Sequence, residues 1–377
     1  MSTTPDAMQP GRLESLDVFR GATIAAMILV NNPGTWDAVY PPLRHADWHG
    51  WTFTDLVFPF FLWISGVALT LSFAKRVGRG DSRRRLFLHT LRRAACIFGL
   101  GLLLNGFPYY DLATLRIPGV LQRIAVCYLI AGALFLVAGL RGQVVAMVSL
   151  LGVYWALMKA VPVPGYGAGV LDKHGNFAQW IDSLTLSGHM WANTKTWDPE
   201  GIVSTLPAIA TVLFGILCGH LLRSALTVAE KATWMFTAGT ALIFAGLLMD
   251  PWLPINKNLW TSSFAVFMAG MAFMIFGLCY WLIDGRGYRR WAKPFAIYGM
   301  NAITVYVMSG LLGDGMALIQ WTGAGGKPVS LHLWVFNEVF LKLANPINAS
   351  LLFAITHVLV LYLVALLMWR KKWFIRL

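Results

Sequence analysis

Ten stretches of the chain are each long and apolar enough to cross a lipid bilayer, and this narrows the fold more than any motif does. A spanning helix needs roughly 20 predominantly apolar residues to cross a hydrocarbon core of about 30 Å. Such runs lie at 15–33, 52–74, 86–106, 118–138, 143–161, 202–222, 233–250, 260–283, 294–313 and 349–369. The expected fold is therefore all-α: a polytopic integral membrane helix bundle with about ten transmembrane helices. Composition agrees, with 57% hydrophobic and 12% charged residues and a mean hydropathy of +0.62. Two runs carry polar groups that a span must pair or use: 15–33 holds Asp17, Arg20, Asn31 and Asn32, and 294–313 holds Asn301.

Loops on the cytoplasmic side carry the excess of Lys and Arg. With both termini cytoplasmic, twenty of the thirty basic residues fall in inner segments, from Arg12 to Arg376, and eight of them crowd between Lys75 and Arg93. The net charge of +13 is thus read as a topology signal, and no nucleic-acid partner is expected. Crowding beyond what orientation needs suits anionic lipid head groups or the phosphates of a nucleotide-like cofactor. No GxGxxG or Walker A segment is present, so ordinary dinucleotide or ATP binding has no support.

The organisation that follows is a cytoplasmic segment over 1–14, a transmembrane domain over 15–369 with long outer loops at 34–51, 162–201 and 314–348, and a basic tail over 370–377. The first dozen residues are polar and no small-residue cleavage site follows the first run, so no removable signal peptide is expected. Cys96, Cys127, Cys218 and Cys279 fall in apolar runs without CxxC or Cys/His spacing, so neither a disulfide framework nor a metal site is implied.

Polar chemistry gathers at the outer helix ends. The densest stretch runs from Asn31-Asn32-Pro33-Gly34 through His45-Ala46-Asp47-Trp48-His49-Gly50-Trp51 to Asp55 and Pro59. A histidine takes or gives a proton near neutral pH and also attacks activated acyl groups. His45 and His49 are both candidates, and Asp55, about one turn into the second helix, is positioned to orient an imidazole. The ordinary alternative is an interfacial aromatic belt beside Trp48 and Trp51, and His49 is assigned to that belt. Gln122 and Arg123, Asp198 and Glu200, and Asn256, Lys257 and Trp260 begin other spans at the same side. Capping explains Asp198 and Glu200 as readily as a site does, whereas an arginine within a span calls for a partner or ligand. Asn301 and Tyr306 lie five apart on the ninth run, where helix–helix hydrogen bonding serves equally well.

Taken in order, Leu16-Asp17-Val18-Phe19-Arg20-Gly21, His45 through Pro59, RIPGVLQR at 116–123, Asp198-Pro199-Glu200-Gly201, PINKNLW at 254–260 and Tyr298-Gly299-Met300-Asn301-Ala302 resemble the heparan-α-glucosaminide N-acetyltransferase family of transmembrane acyltransferases, over nearly the whole chain. The resemblance implies an enzyme that takes acetyl-CoA, with no metal, and delivers its acetyl group to the amine of a glucosamine-type sugar or glycan end on the outer side. It makes His45, which opens the His-Ala-x-Trp-x-Gly motif, the active-site histidine, as base or transient acetyl carrier. His49 stands where the lysosomal enzyme has asparagine. Asn31 matches the family's asparagine at the end of the first span and is the expected donor to a tetrahedral oxyanion. Asp55 would orient His45, and Arg123, Asp198, Glu200 and Lys257 would hold sugar hydroxyls or cofactor. The chain is expected to lack the luminal domain and extra helix of the lysosomal members, which favours a bacterial inner membrane and leaves the acceptor open. Membrane lipid is the expected partner, with a homodimer left open. Two other readings keep the same residues: an amino-sugar transporter, though no pair of matching broken segments marks the two halves, and an O-acyltransferase acting on envelope glycans.

Overall fold

In the computed structural model the described residues are 13–323 and 326–375. Arg12 and Arg376, used above for orientation, lie outside them, as do most of the 1–14 segment and the end of the basic tail.

Nearly every element is helical: α1 (Glu14–Asn31), α2 (Phe53–Val77), α3 (Arg83–Gly106), α4 (Val120–Val137), α5 (Leu140–Ala160), α6 (Phe177–Thr185), α7 (Thr205–Arg223), α8 (Val228–Met249), α9 (Ser262–Tyr280), α10 (Lys293–Met300), α11 (Ala302–Leu318), α12 (Leu331–Val335) and α13 (Pro346–Arg370). A single hairpin of β1 (Gln320–Thr322) and β2 (Pro328–Ser330) interrupts them. Starts are set by side-chain caps, which answer the unpaired N–H groups of a first turn. Ser82 accepts from Arg85 N, Thr261 from Phe264 N and Asn345 from Asn348 N.

Among the described residues eight helices are long and apolar enough to span a membrane, and nine when α10 and α11 are taken as one bent span. The remaining expected span is α1, whose 18 residues include Glu14, Asp17 and Arg20. Its charges are answered within the bundle: Arg20 Nη1 lies 3.1 Å from Asp17 Oδ1 and donates to the Gly299 carbonyl at 3.4 Å. The ten expected runs thus all coincide with helices, and the chain is a polytopic integral membrane protein.

Helices α2, α7 and α9 bury most of their surface at the centre, whereas α3, α5, α8 and α13 turn most of theirs outward. Apolar residues on both faces of the outer helices are what lipid as a solvent requires. The centre is a jigsaw of rings: Trp63 packs on Phe19, Phe273 and Phe276 at centroid distances of 6.1, 5.3 and 5.3 Å. Glycine allows the closest helix approaches, since a Cβ on Gly21 would sit 1.7 Å from the Phe295 carbonyl oxygen and one on Gly299 2.0 Å from that of Asp17. Small residues at such crossings let backbones meet, and this seats α10 against α1.

The structure revises three expectations. The 294–313 run is not one straight helix, because the chain bends by 81° between α10 and α11. Asn301 stands at that bend, accepting from Ile375 N at 3.2 Å and donating to the Trp373 carbonyl at 3.1 Å, so Asn301 and Tyr306 do not share a helix. The 162–201 segment contains α6, and the 314–348 segment contains the end of α11, the hairpin, α12 and a π-helical turn over Phe336–Phe340.

Candidate active site

The loops 32–52, 107–119, 161–204 and 250–261 come together at one end of the bundle, opposite the basic end. A short bridge ties the first to the last, Gly50 N donating to the Ile255 carbonyl at 2.7 Å. Gly50 has φ +94, a conformation in which a Cβ is strained, so the glycine lets the loop turn from His45 into α2.

Asp55, the third residue of α2, sits at the helix N-terminus rather than a full turn inside it. Its Oδ2 accepts from Thr52 N at 3.0 Å and Ala46 N at 3.1 Å, and its Oδ1 lies 2.6 Å from His45 Nδ1. A buried carboxylate can only accept there, so a neutral His45 carries its proton on Nδ1 and its lone pair on Nε2. Lys257 Nζ lies 3.1 Å from that Nε2 and 3.2 Å from Nδ1. Asp55 is almost fully buried while His45 is open on one side. Burial pushes the Lys257 ammonium below its ordinary pKa, Asp55 and Glu200 oppose the shift, and Arg123 adds to it. A histidine held by a carboxylate, with a cation beside its ring, is an arrangement that general-base or nucleophilic chemistry can use.

Around this centre the expected residues divide. Asp198 and Glu200 are engaged by Arg116, whose Nε and Nη2 reach Asp198 at 2.9 and 2.7 Å and whose Nη2 reaches Glu200 at 2.6 Å. Burial alone would lower the Arg116 pKa, but these two carboxylates raise it. The ion partner is Arg116, a residue that the RIPGVLQR motif contained without singling out. Arg123 instead donates to the Gly201 carbonyl at 3.0 Å and to Ser204, and lies over the Trp260 ring at 5.2 Å. Asn256 accepts from Leu259 N at 2.9 Å, and its Nδ2 lies 3.4 Å from His49 Nδ1. Trp260 is buried, its Nε1 donating to Thr211 at 3.2 Å. Buried Gln122 lies against Gly101 and Gly119, where a Cβ would come within 2.3 and 2.7 Å of its Oε1. His49 stays beside Trp48, and Trp48 packs on Trp197 at 5.2 Å.

Asn31 ends α1 and lines a cavity with Tyr306, and His45 is not among the residues of that wall. Sequence reasoning also missed Asp182 on α6, whose two oxygens accept from Ile202 N and Asp198 N at 3.0 and 3.3 Å. It holds the Asp198–Gly201 turn, and burial pushes its carboxyl up to about 6.

The chain is a helical membrane bundle with a His–Asp pair at its loop-rich end. Residues 12–249 match the family model described as heparan-alpha-glucosaminide N-acetyltransferase, catalytic, and the chain belongs to that family. It is 30% identical over 356 residues to heparan-alpha-glucosaminide N-acetyltransferase of Homo sapiens, covering 79% of this chain and 52% of the relative. Against the Mus musculus enzyme it is 29% identical over 378 residues, covering 85% and 57%. The chain therefore spans about half the length of the curated relatives it matches. The family match contains His45, Asp55, Arg116, Arg123, Asp198 and Glu200, and ends before Lys257.

Proposed function

We propose that the chain is an acetyl-CoA-dependent N-acetyltransferase of amino sugars, working at the loop-rich end of the bundle on the outer face of a bacterial inner membrane, with both termini cytoplasmic. The observation that carries this reading is the 2.6 Å contact between His45 Nδ1 and Asp55 Oδ1, which leaves Nε2 as the reactive nitrogen. Names of relatives support the amine acceptor, and the basic end, where among the described residues Asp81 pairs with Arg76 and Arg85, suits phosphates or anionic lipid.

Acetyl-CoA supplies an acyl group on a thiol leaving group. His45 has two routes. As base, Nε2 removes the proton of the attacking amine while the new C–N bond forms and the C–S bond breaks. As carrier, Nε2 itself bonds to the carbonyl carbon, the thiolate departs, and the amine then displaces the imidazole. Asp55 holds the Nδ1 proton and steadies the positive ring in either route. Lys257 must leave Nε2 before the acyl group arrives, and its ammonium is then beside the developing negative charge.

The test is acetyl transfer from radiolabelled acetyl-CoA to glucosamine by the purified protein in detergent, beside His45→Ala. Labelled N-acetylglucosamine from the parent alone is the expected outcome. Retained activity in the variant would remove His45 from the chemistry, and product with hydroxyl but not amine acceptors would turn the reading to O-acyl transfer.

A further inference from the structure

The fold leaves most of the basic residues between Lys75 and Arg93 unanswered. Asp81 is the one acid in that segment. It meets Arg76 at 3.6 Å and Arg85 at 3.1 Å, and among the described residues Lys75, Arg79, Arg83, Arg84 and Arg92 form no ion pair. Arg83 to Arg85 make up the first turn of α3, which holds no acid, so three cations crowd the positive end of the helix dipole.

Arg92 lies deeper. It stands eight residues beyond Arg84, roughly 12 Å along the axis, inside the apolar run 86–106. Residues three and four apart share a helix face, and Arg84, Leu88, Leu91, Arg92 and Ala95 form one exposed stripe. Below them the surface stays open, since a Cβ on Gly99 would meet no atom within 4 Å. Arg93 turns inward instead, its guanidinium over the Tyr128 ring at 5.2 Å. A guanidinium facing hydrocarbon is costly unless it meets an anion. Helical side chains lean toward the helix start, and a long arginine reaches that way for the head groups. An occupant of this face must therefore join an anion to an apolar body, which a free nucleotide phosphate does not.

We propose that Arg84 and Arg92 bind the phosphate of an anionic phospholipid in the leaflet at this end of the bundle. Its acyl chains lie along Leu88, Leu91 and the open surface below. Charge-assisted, forked contacts to the phosphate answer both guanidinium groups at once, and the anion relieves the repulsion in the first turn of α3. The site is separate from the His45–Asp55 pair and does not depend on the acetyl-transfer reading.

Native mass spectrometry of the full chain in detergent, equilibrated with lipids of matched acyl chains, tests it. Phosphatidylglycerol is expected to bind at least tenfold more tightly than phosphatidylcholine, whose choline cancels the charge. It should also bind at least tenfold more tightly than sn-glycerol 3-phosphate, which has the phosphate without the chains. The double variant Arg84→Gln/Arg92→Gln should bring phosphatidylglycerol to the level of phosphatidylcholine. Lys371→Gln/Lys372→Gln, which removes as much charge from the tail, should leave it within twofold of the parent. Circular dichroism and elution volume identify a double variant that has not folded; Arg84→Gln and Arg92→Gln singly then replace it, each expected to weaken binding at least threefold. Equal binding of the two lipids, equal binding of sn-glycerol 3-phosphate, an equal loss in the tail variant, or parent-like binding in the folded arginine variants would overturn the site.

Discussion

His45 and Asp55 are ten residues apart, and the start of α2 closes that gap. Because Asp55 also accepts two backbone N–H groups at the helix start, the carboxylate is held before any substrate arrives, and the imidazole tautomer follows. An amide at this position still accepts one hydrogen bond but cannot balance a positive ring. Asp55→Asn is therefore expected to lower transfer by roughly a hundred- to ten-thousandfold while changing stability by only about 1 kcal/mol, the usual scale of a cap. Steady-state kinetics beside thermal unfolding in detergent would separate the two effects. The pair was legible because both members belong to one motif. Lys257 joins it from 212 residues away, and no local spacing announces that contact. Asp198 and Glu200, read in sequence equally as caps or as a site, meet Arg116 from 82 and 84 residues away, a contact that no local spacing announces either.

At the scale of elements, α6 is the piece that the sequence concealed. It is short, begins after the Asn176 cap, and carries Asp182 under the Asp198–Gly201 turn. Since burial raises this carboxyl to about 6 in the fold, against about 3.9 in an unfolded chain, the unfolded state releases its proton first as pH rises. Stability from this group is fully present below about pH 4 and falls by roughly 2–3 kcal/mol by about pH 6. Between those values Asp182→Asn should gain stability relative to the parent by about that amount, whatever its constant offset from the altered hydrogen bonds. Thermal unfolding of both proteins across pH 4–7 checks it, and parallel pH profiles would show that Asp182 titrates normally. The bend between α10 and α11 was equally hidden, because a hydropathy run measures apolar length and is blind to direction. Asn301 reads in sequence as a polar group inside a span; only the fold shows it fastening the chain near Trp373 and Ile375.

For the whole molecule, orientation is the property that most affects function, since it decides which compartment meets His45. In the proposed orientation the basic loops put the His45 end outside. In a variant whose four native cysteines are replaced by serine, Thr114→Cys should react with a membrane-impermeant maleimide applied to intact cells, and Arg290→Cys only after permeabilisation. The opposite labelling would invert the protein and put the acceptor in the cytoplasm. By itself the sequence determined the all-α membrane bundle, the positions of its helices and the motif holding His45 and Asp55. Those follow from apolar run length and short-range order, which lipid and a helix start read directly. Tertiary structure decided which helices form the buried centre, that Lys257 meets His45, that Arg116 takes both acids of the Asp198–Gly201 turn, and that Asn31 lines a cavity with residues of α3, α11 and α13. These depend on which distant helix ends share one face of the bundle, and that is set by glycine-close helix crossings and ring packing across the whole chain rather than by any segment within it.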